Sequence, residues 1–138
     1  MKKIVVLVSL LLVAMTLSIV ACTDNSNDAS GDWAGNWKMT QDITWPQTKA
    51  DGGLPTGTIT IDKSNKNKII IAGGLLNSPT NITASVSSEI ATFSATIDKN
   101  YTIKGTATLS SSSEITFKFT IYTEGDKSQT YSRTAVKI

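Results

Sequence analysis

Residues 101–123 read YTIKGTATLSSSSEITFKFTIYT and contain two runs in which apolar and polar side chains alternate. In the second run the apolar side chains are Ile115, Phe117, Phe119 and Ile121, with a polar side chain between each pair. An alternation with a period of two is typical of a strand that has one buried and one solvated face. Four serines at 110–113 separate the runs and favour a turn. The stretch therefore predicts an antiparallel β-hairpin.

The same alternation continues on both sides of this hairpin, and turn-forming residues interrupt it at short intervals. β-Branched Thr and Ile recur along it, and these residues suit a pleated sheet better than a helix. We predict an all-β domain of about eight strands, at residues 35–43, 56–62, 67–73, 80–87, 90–97, 101–109, 114–123 and 129–138. Short connections favour an antiparallel up-and-down meander that closes into a small barrel. A β-sandwich of the same strands is the alternative, and residues 44–55 form the one longer loop.

The amino-terminal segment differs from the rest of the chain. Residues 1–21 begin with Lys2 and Lys3 and continue as an apolar run, which is the pattern of a secretory signal peptide. The run is also close to the length that spans a bilayer, so a membrane anchor is an alternative. It stops at Cys22, and residues 22–32 are short and polar. We predict a signal peptide over 1–21, a flexible tether over 22–32 and one domain over 33–138.

Ile19-Val20-Ala21-Cys22 resembles a bacterial lipobox. The resemblance implies that the Cys22 thiol receives a diacylglycerol, that cleavage occurs just before it, and that the new amino terminus is acylated with a fatty acid such as palmitate. The domain would then be held at a membrane by its lipid anchor. Such lipoproteins lie mostly in the outer membrane of the bacterial cell envelope, and we expect this location here. An ordinary cleaved signal peptide is the alternative.

Composition removes several classes of function. The chain has no His and one Cys, so the commonest general base is absent and no internal disulfide is expected. Cleavage after residue 21 removes Lys2 and Lys3, which leaves 11 of the 13 basic residues against 11 acids. A chain without excess positive charge is a poor candidate for nucleic-acid binding. No motif points to a nucleophile, a metal site or a cofactor, and we expect no enzyme activity.

Gly35-Asn36-Trp37, at the start of the first predicted strand, resembles the GxW signature of lipocalins and related calycin barrels. In that family the glycine allows a close backbone approach, and the Trp plugs the closed end of the barrel beneath a basic side chain from the last strand. The resemblance implies that Arg133, the one Arg of the chain, stacks on Trp37 and helps to close the barrel. A generic inward Trp with an exposed Arg is the alternative.

Residues 54–138 are also similar in pattern to small lipocalin-like lipoprotein domains of Bacteroidetes, whose function is largely unknown. The matching pieces are GTITI at 57–61, KIII at 68–71 and IKGTATL at 103–109. The chain departs from true lipocalins because it has no second or third lipocalin motif and no disulfide.

The three Trp residues, Trp33, Trp37 and Trp45, lie within 13 residues of one another. With Trp37 as the plug, Trp33 and Trp45 are candidates to bind a small apolar ligand at the open barrel end, with the 44–55 loop as its lip. The rival hypothesis is a protein-interaction or structural module, such as a surface-assembly component or an inhibitor, with a filled barrel. Inward Ala positions fit either interior, and we expect a mainly filled one.

Overall fold

The computed structural model describes residues 28–43, 53–125 and 127–138. These residues form eight antiparallel strands and two 3₁₀ turns, Gly31–Trp33 and Gly73–Leu76. The strands are β1 Gly35–Met39, β2 Thr56–Ile61, β3 Lys68–Ile71, β4 Ile82–Ser87, β5 Ile90–Asp98, β6 Tyr101–Ser111, β7 Glu114–Thr123 and β8 Lys127–Lys137. The predicted all-β class and strand number are confirmed. Within the described ranges, no helix is long and apolar enough to span a bilayer.

Each strand pairs with the next one in the sequence, and the last strand pairs with the first. The closing pairs are Trp37 with Lys137, Lys38 with Val136, and Met39 with Ala135. Because β1 and β8 belong to the same hydrogen-bonded ladder, the strands form a closed up-and-down barrel. The sandwich alternative is therefore excluded.

The first strand is shorter than the predicted 35–43. It ends at Met39, and the chain then bends at Thr40 and Gln41. The Ile43 backbone N–H donates a hydrogen bond to the Asp42 carboxylate at 2.8 Å, and residues 42–43 after the bend are irregular instead of extended strand. Ile43 is buried again, and this explains why the sequence pattern continues past the end of the strand.

The inward faces of the strands carry the apolar residues that the alternation predicts, and their side chains fill the barrel interior. The largest fully buried side chains of the strands include Trp37, Met39, Phe117 and Phe119. Gly105 lies opposite Phe119, and a Cβ at Gly105 would overlap both Phe119 and the β7 backbone. The small residue thus makes room for the large one, as close packing of a barrel interior requires.

The two halves of the barrel wall differ in height. Strands β1 to β4 have four to six residues, whereas β5 to β8 have nine to eleven. The pairing of β5 with β4 stops at Phe93, and the pairing of β8 with β1 covers only residues 135–137. We call residues 94–98 of β5 and 127–133 of β8, together with the parts of β6 and β7 between them, the overhang. It stands at the end where β5 ends and β8 begins, which we call the mouth.

Candidate functional site

The end opposite the mouth is closed by an aromatic plug. The Lys137 Nζ lies 5.0 Å from the centroid of the Trp37 ring and donates a hydrogen bond to the Asp32 carbonyl oxygen at 2.9 Å. The Trp37 Nε1 donates to the Trp33 carbonyl oxygen at 3.1 Å. Gly35 has a φ of +147°, and a Cβ there would lie 3.0 Å from the Lys137 side chain. Glycine therefore allows the lysine stem to cross the strand start.

The structure gives the place over Trp37 to Lys137 instead of Arg133. In the β1–β8 ladder Lys137 lies directly across from Trp37, and Arg133 is four residues away along β8. At about 3.3 Å per residue this separates the two positions by about 13 Å. Arg133 lies instead with its guanidinium carbon 5.2 Å from the centroid of the Tyr131 ring. The resemblance implies a cation stacked on Trp37, and the register between β1 and β8 makes Lys137 that cation.

The other sequence-predicted site residues are distributed as follows. Trp33 is fully buried in the 3₁₀ turn at the closed end, so it packs the plug and does not line the mouth. Trp45 and Cys22 lie outside the described residues, and so do 44–52 of the predicted lip and 22–27 of the predicted tether. Ala29 is buried, and its N–H donates to the Lys66 carbonyl oxygen at 2.8 Å. Contact with the barrel is therefore in place by Ala29, within the segment that the sequence assigns to the tether.

Two cavities lined by described residues, each of about 370 Å³, lie at the closed end. One lies beside Asn65, Asn67, Lys68 and the end of β4. The other is bordered by Asp28, Asp32, Glu89 and serines 110–112. Both are open to solvent and are bordered mostly by polar residues, so neither matches the enclosed apolar pocket that an apolar ligand requires. Across the described ranges, no three His, Cys, Asp or Glu side chains are placed to hold a metal ion.

The mouth is filled on one side. Leu75 and Leu76 of the 3₁₀ turn Gly73–Leu76 are buried, and a Cβ on Gly57 would come within 2.9 Å of Leu75. Asn77 donates its side-chain N–H to the Ile43 carbonyl oxygen at 3.3 Å. These contacts seat the turn and the segment after β1 over the short strands.

The opposite side of the mouth, formed by the overhang, is only partly covered. Its inward face carries Ile103 and Ile121, which are buried, and Ala95, Ile97 and Tyr101, which are half-buried. Ala95 and Ile97 pack against the edge of the core cluster. The outward face of the long strands is dominated by Thr and Ser, so most of the apolar side chains lie on the inward face. The overhang therefore offers a shallow apolar surface above a filled core.

Tyr131 lies on the inward face of β8 within the overhang. Its ring stacks on Phe119 with 5.2 Å between centroids, and only 3% of the residue is exposed. Its hydroxyl is buried and has no hydrogen-bond partner among the described residues. Burial raises the pKa of the phenol, and the nearby Arg133 charge partly opposes that rise. A buried hydroxyl left unpaired costs about 1–3 kcal/mol, so this atom calls for an explanation.

Arg133 stands beside Tyr131 at the rim. Its Nε donates to the Asp42 carbonyl oxygen at 2.9 Å and its Nη1 to the Ser132 carbonyl oxygen at 2.9 Å. The position over Trp37 that the lipocalin resemblance implies for Arg133 is wrong, and the alternation alone gives Tyr131 no role. The sequence does give one indication. Tyr131, Arg133 and Lys137 are at odd-numbered positions like the buried Ala135, so the alternation places these three polar side chains on the inward face of β8.

Comparison of the chain with protein-family models, with curated proteins and with solved structures finds no match in any of the three.

Proposed function

We propose that this protein is a lipid-anchored lipoprotein of the bacterial envelope whose non-catalytic, lipocalin-like barrel binds a small apolar ligand at its mouth. The lipobox-like sequence ending at Cys22 and the polar stretch after it support the anchor. The GxW sequence and the cation over its Trp support the kinship with lipocalin-like barrels. The outer membrane is the proposed location, on the resemblance to Bacteroidetes lipoproteins.

One observation carries the proposal of ligand binding: the overhang leaves an inward apolar face only partly covered. Ala95 and Ile97 keep part of their surface exposed although they point toward the barrel axis. A ligand that removes this apolar surface from water stabilises the complex by about 25 cal/mol per Å². Because Phe117 and Phe119 occupy the interior below, the ligand would be small or would lie across the mouth.

The attachment point favours a defined orientation. The chain joins the barrel at Ala29, which bonds to the loop between β2 and β3 at the closed end. Fully extended, the segment from Cys22 to Ala29 spans at most about 25 Å. The closed end would therefore be held near the membrane, and the mouth would tend to face away from it.

A protein-interaction or structural module is the second candidate. The filled lower barrel favours it, because a barrel packed with Trp37, Phe117 and Phe119 needs no ligand for its stability. The two hypotheses differ in what the mouth does when an apolar compound is offered.

The binding test uses residues 23–138, which contain every described strand, and the neutral dye N-phenyl-1-naphthylamine. We expect saturable fluorescence enhancement. Ile97→Gln should weaken binding about 10-fold, because a buried amide without a partner costs about 1–3 kcal/mol. Ile90→Gln is the matched control, since Ile90 lies on the same strand and is 48% exposed. The absence of saturable binding, or an equal loss in both variants, would favour the interaction module.

The anchor is tested by labelling growing cells with radioactive palmitate. We expect label on the wild-type protein and none on Cys22→Ser, which also should retain the signal peptide. A wild-type protein without label would contradict the lipoprotein proposal and would leave the binding test unaffected.

A further inference from the structure

We propose that Arg133 and Tyr131 form a head-group site at the mouth, and that the ligand is an amphiphile with an anionic head, such as a carboxylate, on an apolar body. The inference rests on the proposed binding function and adds the class of ligand.

The first observation concerns charge. Arg133 is the one Arg of the chain, it is half-buried, and among the described residues it forms no ion pair, since the carboxylate of the adjacent Asp42 accepts from the Ile43 N–H. Its two observed hydrogen bonds go to backbone carbonyl oxygens, which carry no net charge. A guanidinium has five N–H donors, so donors remain for a further acceptor. A partly desolvated cation without a counter-ion attracts an anion more strongly than an exposed one does.

The second observation is the orphan hydroxyl. Tyr131 is buried, its hydroxyl has no partner in the described part of the chain, and its ring lies under the Arg133 guanidinium at 5.2 Å. A hydroxyl donor and a guanidinium on successive inward positions of one strand can both donate to a carboxylate. Tyr131 and Arg133 are two residues apart on one strand, so they share the inward face. An incoming carboxylate would then be held by charge and by a hydrogen bond.

The third observation is where the pair lies. Arg133 lies on β8 two residues before the pairing with β1 begins, at the base of the overhang. Ala95 and Ile97 lie on the inward face of the overhang on β5. The mouth is therefore polar and cationic on the β8 side and apolar on the β5 side. A molecule with a charged head and an apolar body matches this division.

A second cation–aromatic pair on the same sheet shows what a solvated version looks like. Lys104 Nζ lies 5.7 Å from the centroid of the Tyr122 ring, and Tyr122 is 45% exposed on the outer face. This pair combines the same kinds of group without the burial, so it supplies matched control positions.

The test compares dodecanoate with dodecanol on residues 23–138 by isothermal titration at about pH 8, where the carboxylate is ionised. We expect the wild type to bind dodecanoate about 10-fold more tightly or better, the gain typical of a hydrogen bond to a charged group. Arg133→Gln and Tyr131→Phe should reduce that preference, and Lys104→Gln and Tyr122→Phe should leave it unchanged.

Each result bears on the proposal. Equal affinity of the wild type for the two compounds would overturn the anionic head group and leave the apolar binding function in place. Failure of both compounds to bind would overturn both. If Arg133→Gln unfolds, Arg133→Lys keeps the charge and should retain most of the preference. A purely structural role for Arg133 would lower affinity for both compounds equally, which also overturns the proposal.

Discussion

The closed end and the mouth of this barrel each place a β8 cation over an aromatic ring, and the two pairs have different surroundings. At the closed end Lys137 covers Trp37 and bonds to the carbonyl oxygen of Asp32, so the 3₁₀ turn, the first strand and the last strand are joined in one plug. At the mouth Arg133 covers Tyr131 beside a hydroxyl that no described group satisfies. The comparison shows that the same kind of cation–aromatic pair serves closure where neighbouring segments complete it, and leaves a buried hydroxyl without a described partner where they do not.

The largest expected effect comes from breaking the plug. Trp37→Ala removes a fully buried indole that lies beneath Lys137 and bonds to the Trp33 carbonyl oxygen. We expect a loss of about 3–5 kcal/mol in the free energy of unfolding, typical of deleting a buried aromatic side chain. Urea unfolding followed by circular dichroism measures it. Tyr122→Ala on the exposed outer face is the control, and a comparable loss there would contradict the distinct role of the plug.

A smaller effect is expected from the cation of the plug alone. Lys137→Met keeps much of the stem that crosses Gly35 and removes the ammonium that contacts Trp37 and Asp32. We expect a loss of about 1–2 kcal/mol, the sum of one cation–π contact and one hydrogen bond. Thermal unfolding at low and high salt measures this change. Lys118→Met, on the exposed outer face, is the control and should change stability little. Similar losses for the two variants would show that Lys137 contributes no more to stability than an exposed lysine.

At the mouth, we expect loss of a polar group to maintain or raise the free energy of unfolding instead of lowering it. Tyr131→Phe removes a hydroxyl that has no partner in the described residues and keeps the ring that stacks on Phe119. We expect unfolding stability to stay the same or to rise by up to about 1 kcal/mol, because an unsatisfied buried group is lost. The urea midpoint measures it, with Tyr122→Phe as the matched exposed variant. A clear loss of stability would mean that the hydroxyl is already bonded.

The smallest effect concerns alkaline pH. Burial raises the pKa of Tyr131 above its ordinary value of 10.0, so above about pH 10 the unfolded chain releases the proton before the folded one does. Stability from this group is complete below that pH and falls as pH rises further. We expect the wild type to lose more unfolding free energy than Tyr131→Phe between about pH 9 and about pH 11. Equal losses would show that the phenol titrates normally.

Much of the fold could be predicted because strand formation leaves a local signal. The alternation of Ile115, Phe117, Phe119 and Ile121 reports one buried face without reference to any distant residue, and β7 begins and ends where that pattern predicts. The end of β1 was less predictable. Ile43 is buried like a strand residue, yet it reaches the core after a bend at Thr40 and Gln41.

For the candidate site, the sequence predicted a cation stacked on Trp37 but not which residue supplies it, and not that Trp33 belongs to the plug. Trp33 belongs to the plug because its 3₁₀ turn folds beneath the barrel, a placement that composition does not reveal. Tyr131 gives no sequence signal beyond its parity, since a missing hydrogen-bond partner is a property of the surrounding packing. The Thr and Ser residues of the outer face were predictable, because solvated strand faces favour polar β-branched side chains.

The sequence by itself determined the all-β class, the number of strands and the inward face of each strand, because these depend on the period of nearby side chains. Only the tertiary structure decided which cation of β8 covers Trp37. That choice depends on the register between β1 and β8, two strands separated by about ninety residues of chain. A shift of four residues would exchange Lys137 for Arg133 without altering the alternation of either strand. The difference between the sealed end and the mouth therefore arises from closure of the ladder, which no local pattern encodes.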